Sequence, residues 1–132
     1  MLKIKESEVG SQKPDKLEIR KYVTDSKAKG ATAIVCSLIP RNRWENGKVV
    51  RSSEDYGKWA RESAFTEKTF FIDLNEIIAT KYELLDEEEV KIKLFLTDNT
   101  HTTEAGAIIN ARSVAEGINS LKGCKLKKYL LK

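Results

Sequence analysis

The chain has 132 residues, 40% hydrophobic and 33% charged, a balance that suits one globular domain and excludes an intrinsically disordered one. Its net charge of +4 is the small excess of 24 basic over 20 acidic residues, largely interspersed, so no nucleic-acid partner is expected. No apolar run approaches the roughly 20 residues that cross a bilayer, and the start at Met1 lacks the apolar stretch of a secretion signal, so the chain reads as soluble and untargeted, with no membrane partner.

Residues 1–14 read as an irregular N-terminal segment. From Asp15 to Lys29 the chain is charged, with Ile19, Tyr22 and Val23 at helical spacing, and Gly30 follows as a stop. Residues 31–39 are nearly all apolar and rich in β-branched side chains, which predicts a strand covered on both faces, with Cys36 buried in it; Pro40 ends the strand. The polar stretch 41–48 reads as a loop that turns at Gly47 and leaves the C-terminal end of the strand, the end at which open parallel sheets bind ligands. Ser52 or Ser53 can cap a helix whose Tyr56, Trp59, Ala60, Ser63 and Ala64 share one face. Residues 69–74 predict a second strand.

Asn75 can then cap a helix from Glu76 to about Leu84, and Asp86 with Glu89 suits the start of another through Leu94. The acidic run 86–89 lacks the alternating ligands of a calcium loop and is read as a helix start. A polar loop over 96–103 leads into a long amphipathic helix with Ala107, Ala111, Val114, Ile118 and Leu121 on its apolar face, closed by Gly123. This alternation predicts an α/β fold with parallel strands at about 31–39 and 69–74. Two strands fall short of the five or six of a mean sheet, so further strands are expected from elsewhere, or self-association through the open edge.

Chemistry concentrates in few residues. His101 is the single histidine, three residues after Asp98 and just before a helix that Thr102 or Thr103 can cap. A carboxylate can fix the tautomer and orientation of an imidazole whose other nitrogen then takes a proton from a nucleophile. Trp44 stands in the loop expected on the same side, where it could stack on a sugar ring or fold back onto the core; Arg41, Asn42 and Arg43 beside it offer hydrogen bonds. Phe70, Phe71, Tyr56 and Trp59 read mostly as core. Two cysteines without a CxxC pair, and one histidine, predict no disulfide framework and no metal site.

The run Asp98-Asn-Thr-His101-Thr-Thr-Glu-Ala-Gly-Ala, opening the last helix of an α/β pattern, resembles the final sequence block of the SGNH (GDSL-like) hydrolases. The segments 27–44 and 71–75 resemble the corresponding parts of the rhamnogalacturonan acetylesterase branch, and the likeness extends from about Leu17 to Leu130. It implies a three-layer α/β/α sandwich in which residues 15–132 are the C-terminal part of one domain. It also implies serine-dependent removal of acetyl groups from pectin, an acetylated polysaccharide partner and no cofactor. The family's histidine activates the serine and its aspartate orients the histidine, roles that fall on His101 and Asp98. Trp44 and Asn42 match the rim loop, as substrate-binding residues.

The Gly-Asp-Ser nucleophile turn, the glycine of the second block and the Gly-x-Asn-Asp of the third are not found, and 1–14 is too short to hold them. Ser37, Ser52 and Ser53 have no nucleophile-elbow context. The chain is therefore expected to be inactive alone. The alternative is a non-enzymatic α/β module that associates through an exposed sheet edge.

Overall fold

Helices and short apolar strands alternate along the chain as their sequence patterns require. The computed structural model describes residues 14–131: α1 (Pro14–Ala28), β1 (Ile34–Cys36), β2 (Trp44–Glu45), β3 (Lys48–Val49), α2 (Tyr56–Thr66), β4 (Phe70–Ile72), α3 (Leu74–Glu83), α4 (Glu87–Leu94), α5 (Glu104–Ser120) and a 3-10 turn (Lys125–Tyr129). The irregular segment expected over 1–14 lies outside the described residues apart from Pro14, which already begins α1.

The two predicted strands, β1 and β4, pair in parallel, with Ile34 opposite Phe70, Val35 opposite Phe71 and Cys36 opposite Ile72. Side chains alternate across a strand, so this pair has two faces. On one, the Arg61 guanidinium of α2 lies 5.5 Å over the Phe71 ring, and α1 packs against α2. On the other, α5 meets Ile72 and packs against α3 and α4. The core lies on this second side: Ile78, Ala79, Tyr82 and Val90 are fully buried, and Tyr82 meets Phe95 edge-on with ring centroids 5.6 Å apart. Burial of a side chain such as Ile78 or Val90 contributes about 1.5–3 kcal/mol. Among the described residues β1 and β4 have only each other, and Cys36 is exposed where a buried residue was expected, because β1 is partnered on one side alone.

The face of α5 differs from the reading of its apolar residues. Gly106, Asn110, Ser113 and Gly117 are buried, Ala107 and Ala111 are exposed, and Val114, Ile118 and Leu121 only flank the contact. Close approach explains it. A Cβ on Gly117 would stand 2.4 Å from Ile72 Cγ2, and one on Gly106 would stand 2.4 Å from the Leu94 carbonyl oxygen. Small residues let the helix settle where larger apolar ones would hold it off.

Two caps also move. Asp55, not Ser52 or Ser53, caps α2 by accepting from Tyr56 N, which leaves Tyr56 exposed. Asp73 caps α3, and Asn75, placed inside the helix, instead ties strand ends together: its Nδ2 donates to Leu38 O at 2.9 Å and its Oδ1 accepts from Ser52 N at 3.1 Å. Asp86 caps α4 and Thr103 caps α5 as their sequence positions suggest.

Candidate active site

Asp98 and His101 meet in the loop between α4 and α5. The base of that loop is closed by an antiparallel bridge between Phe95 and Thr102, and Leu96 N donates to His101 O at 2.8 Å. Thr103 Oγ1 donates to Lys93 O, and its backbone N donates to Leu94 O, which joins the end of α4 to the start of α5. The loop turns at Asn99, whose φ of 57° is left-handed, a conformation that asparagine tolerates better than most residues.

This turn folds the Asp98 carboxylate back on the next residues. Its Oδ1 accepts from Thr100 N and His101 N, both at 2.9 Å, and its Oδ2 lies 2.5 Å from His101 Nδ1. The imidazole contact and the two backbone donors hold the Asp98 carboxyl at about 2, below its ordinary 3.8. An ionised carboxylate only accepts, so Nδ1 carries the proton of this bond. In the neutral ring, Nε2 is then the acceptor. The side chains of His101 and Asp98 are 76% and 49% exposed, so the pair stands at the surface while its backbone is fixed. That arrangement can take a proton from a hydroxyl presented to Nε2. Among the described residues no serine hydroxyl is hydrogen-bonded to His101; the imidazole bonds through Nδ1 to Asp98, the Ser37 hydroxyl is taken by Asp73 and Asn75 N, and the Ser52 hydroxyl is buried.

Asn42 and Trp44 are brought to the same loop. Asn42 N donates to Asn99 O at 3.0 Å, Asn42 Nδ2 donates to Asn99 Oδ1 at 2.8 Å, and Trp44 Nε1 donates to Asn42 Oδ1 at 2.8 Å. An indole N–H can only donate, which fixes the Asn42 oxygen toward Trp44 and its nitrogen toward Asn99. Both ends of the Asn42 amide are therefore engaged with protein. The Trp44 side chain is half-buried and packs against the core cluster, the second of the two positions open to it in the sequence, while its N–H is taken by Asn42. Asn99, absent from the residues singled out in the sequence, is the joint between this clamp and Asp98. Its signal was an asparagine at the tip of a short polar loop.

The segment read as a loop over 41–48 contains a hairpin. β2 and β3 pair antiparallel, Trp44 opposite Val49, around Asn46 and Gly47, whose φ values of 51° and 73° suit the two-residue turns that match strand twist. Asn-Gly was the readable mark of it. The hairpin is fastened to α3: Glu83 accepts from Val49 N at 3.0 Å, from Lys48 Nζ at 3.2 Å and from Arg51, which also reaches Glu76 and Val49 O. These donors, Arg51 first, lower the Glu83 carboxyl from 4.5 to about 2.

At the C-terminal ends of β1 and β4, Ser37 Oγ donates to Asp73 Oδ1 at 2.8 Å and accepts from Asn75 N at 2.8 Å, while Arg61 holds the other Asp73 oxygen. Ser37 is thus committed to structure. Among the described residues no cluster of three metal-ligating side chains occurs, and no helix is long and apolar enough to cross a membrane.

No protein-family model matches the chain. It is 30% identical over 118 residues to the probable rhamnogalacturonan acetylesterase YesY of Bacillus subtilis (strain 168), across 86% of this chain and 54% of that protein. It is likewise 30% identical over 125 residues to the rhamnogalacturonan acetylesterase RhgT of the same organism, across 83% of this chain and 53% of that one. The chain spans about half the length of the curated relatives it matches. A crystal structure of the protein YXIM from Bacillus subtilis superposes with a TM-score of 0.71 at 25% identity, covering 79% of this chain and 30% of that one. The acetylxylan esterase Axe2 of Geobacillus stearothermophilus superposes with a TM-score of 0.57 at 17% identity over 77% of this chain and 44% of that one, a likeness of fold.

Proposed function

We propose that this chain, which belongs to the SGNH hydrolases, carries the general-base half of a carbohydrate acetylesterase that removes acetyl groups from a pectic polysaccharide. The observation that carries the reading is the 2.5 Å contact between Asp98 Oδ2 and His101 Nδ1, which leaves Nε2 exposed at the end of a loop closed on both sides. In this reading His101 Nε2 takes the proton of an attacking serine and returns it to the leaving sugar hydroxyl. Asp98, ionised throughout, keeps the ring oriented and balances the imidazolium. Trp44 and Asn42 border the sugar, with Asn42 acting through its hold on Asn99 more than through its own amide. Residues 15–132 form the C-terminal part of one hydrolase domain.

The serine and the oxyanion donors, each of the latter commonly contributing about 2.7–4 kcal/mol, are to be supplied from outside the described residues. The 132-residue chain is expected to release no acetate from acetylated rhamnogalacturonan or nitrophenyl acetate. Mixed with a polypeptide comprising the N-terminal half of RhgT, it is expected to gain turnover that vanishes with His101→Ala. An assembled mixture, verified by light scattering, without turnover would count against the esterase reading. Turnover by the chain alone that depends on His101 would overturn its dependence on an external nucleophile.

A second reading rests on the sheet, since β1 and β4 are each partnered on one side. An interaction module would pair through that edge, and the chain alone would be a stable dimer. A monomer by light scattering removes this reading.

A further inference from the structure

Residues 117–132 contain no aspartate or glutamate but hold Lys122, Lys125, Lys127, Lys128 and Lys132. The 3-10 turn brings this run over the beginnings of β1 and β4, where it walls an open cleft of about 430 Å³ that reaches Ile34 and Phe70. A second cleft adjoins it and shares Thr32 and Phe70; Lys27, near the end of α1, and Lys68, just ahead of β4, stand on its rim. Lysines from three parts of the chain thus converge on one end of the fold, and among the described residues no carboxylate lines either cleft.

These charges are uncommitted. Lys27 Nζ donates to the Glu67 carbonyl oxygen at 2.7 Å, while the Glu67 carboxylate is held by Arg20, also at 2.7 Å. Among the described residues Lys68, Lys125 and Lys128 have no carboxylate partner; Lys128 Nζ lies 4.8 Å from the centre of the Tyr129 ring. Beside the lysines, apolar side chains stand in solvent: Leu126 is 43% exposed, Tyr129 71% and Leu131 100%. A 3-10 turn has three residues per turn, so Leu126 and Tyr129 fall on one line and Lys125 and Lys128 on the next.

A soluble polyanion would satisfy the lysines and leave Leu126, Tyr129 and Leu131 in water. An anionic lipid surface takes both, since its headgroups attract the lysines and its interface receives leucine side chains and the tyrosine ring. We infer that this basic end docks on a membrane surface that bears anionic lipid. The expectation of no membrane partner rests on the lack of an apolar run long enough to cross a bilayer, and a peripheral contact requires none. The 17 residues of α5 span roughly 25 Å between this end and the His101 loop, so a chain seated this way keeps Asp98 and His101 on the side away from the lipid.

The test is co-sedimentation of the 132-residue chain with phosphatidylcholine vesicles, with and without phosphatidylglycerol, alongside binding to soluble polyphosphate. Association is expected only with the vesicles that contain phosphatidylglycerol, and it should fall as salt is added. An anionic surface favours each nearby lysine by about fivefold, so Lys125→Gln/Lys128→Gln should lower partitioning about 25-fold. Lys58→Gln/Lys91→Gln removes the same charge from exposed positions on α2 and α4 and should lower it less than about threefold. Tyr129→Ser/Leu131→Ser should lower partitioning about tenfold and leave polyphosphate binding unchanged. All these positions are exposed, so melting temperatures are expected to hold. Equal losses from the two lysine pairs would leave net charge as the cause, and vesicle binding indifferent to Tyr129→Ser/Leu131→Ser would make this end a general polyanion site. Either result, no association with the anionic vesicles, or equal association with the neutral ones overturns the inference.

Discussion

The loop over 95–102 and the hairpin over 44–49 both stand at the surface near His101, yet they are held in opposite ways. In the loop nearly every bond that shapes the Asp98–His101 pair spans three residues or fewer, from the Asp98 carboxylate to Thr100 N, His101 N and His101 Nδ1. The hairpin has a local turn at Asn46 and Gly47, but it is placed by Glu83 and Glu76, more than 20 residues away, through Arg51. One region carries its geometry within itself and the other borrows it from a helix. The contrast teaches that the chemical pair can stay ordered while its surroundings are perturbed, and that the rim depends on the core for its position.

Gly106→Ala tests the limit of that independence and should have the largest effect. Its added methyl would stand 2.4 Å from the Leu94 carbonyl oxygen and 2.9 Å from Thr102 Cβ, atoms of the loop's own base. Backbone has to shift, and overpacking of this kind commonly costs about 1–3 kcal/mol. Urea unfolding is expected to register that loss, along with a change in the NMR signals of the imidazole, which belong to one residue because the chain has one histidine. Unchanged imidazole signals in a destabilised variant would mean that the loop is insulated even from its own hinge.

Glu83→Gln strikes the hairpin instead. Glu83 and Arg51 side chains are 13% and 21% exposed, so an arginine that loses this carboxylate and keeps only Glu76 is expected to cost about 1–2 kcal/mol. The sign with pH follows from the direction of the shift. Glu83 titrates at about 2 in the fold against an ordinary 4.5, so its charge stabilises the native chain above about 4.5, and this contribution is lost as pH falls through 2. The stability gap between the parent and Glu83→Gln should therefore narrow across that window. A gap that widens with acid would contradict the assignment of Glu83 as the anchor. The imidazole signals should stay largely in place, because the loop keeps its own bonds.

The same contrast explains what the sequence made readable. Asp98, His101 and the Thr103 cap were legible because their contacts are local, and the strands at Ile34 and Phe70 because continuous apolar character needs no partner to be recognised. The buried face of α5 was not, since Gly106 and Gly117 are selected by how closely Leu94 and Ile72 approach, a distance that helical periodicity does not contain. Asn75 looked like a cap because asparagine often is one; its bonds to Leu38 and Ser52 are long-range. Asn42 and Trp44 were placed on the correct side through the direction of the strand, but their commitment to Asn99 depends on a meeting of two loops 57 positions apart.

That meeting gives the intermediate prediction. Asn42→Ala removes the side-chain bond to Asn99 and the acceptor for Trp44 Nε1, at an expected cost of about 1 kcal/mol, near that of Trp44→Phe. If Asn99 transmits the rim to the base, both variants move the Nδ1–H signal of His101 and broaden it by exchange with water, whereas Glu83→Gln does so weakly. Asn99→Gly separates the two contributions of that residue, because glycine keeps the left-handed backbone and deletes the amide. A signal unaltered in Asn42→Ala and Trp44→Phe would reduce the clamp to ordinary packing.

The smallest effect on stability is expected from Asp98→Asn, because both partners are exposed, while its effect on the imidazole should be the most specific. Asparagine can still accept from the backbone at 100 and 101, but it no longer presents an ionised oxygen to Nδ1. The parent carboxyl, lowered to about 2 by the imidazole and the two backbone donors, keeps its charge through most of the acidic range. The Nδ1–H signal should accordingly persist on acidification and weaken only as pH approaches 2, where the carboxyl gains its proton. In Asp98→Asn the same signal should lose its strong hydrogen-bonded character at every pH, with the melting temperature nearly unchanged. A signal that disappears well above pH 2 in the parent would place the pair's order in the neighbouring rim and not in the aspartate, and the loop would then be as dependent on distant contacts as the hairpin.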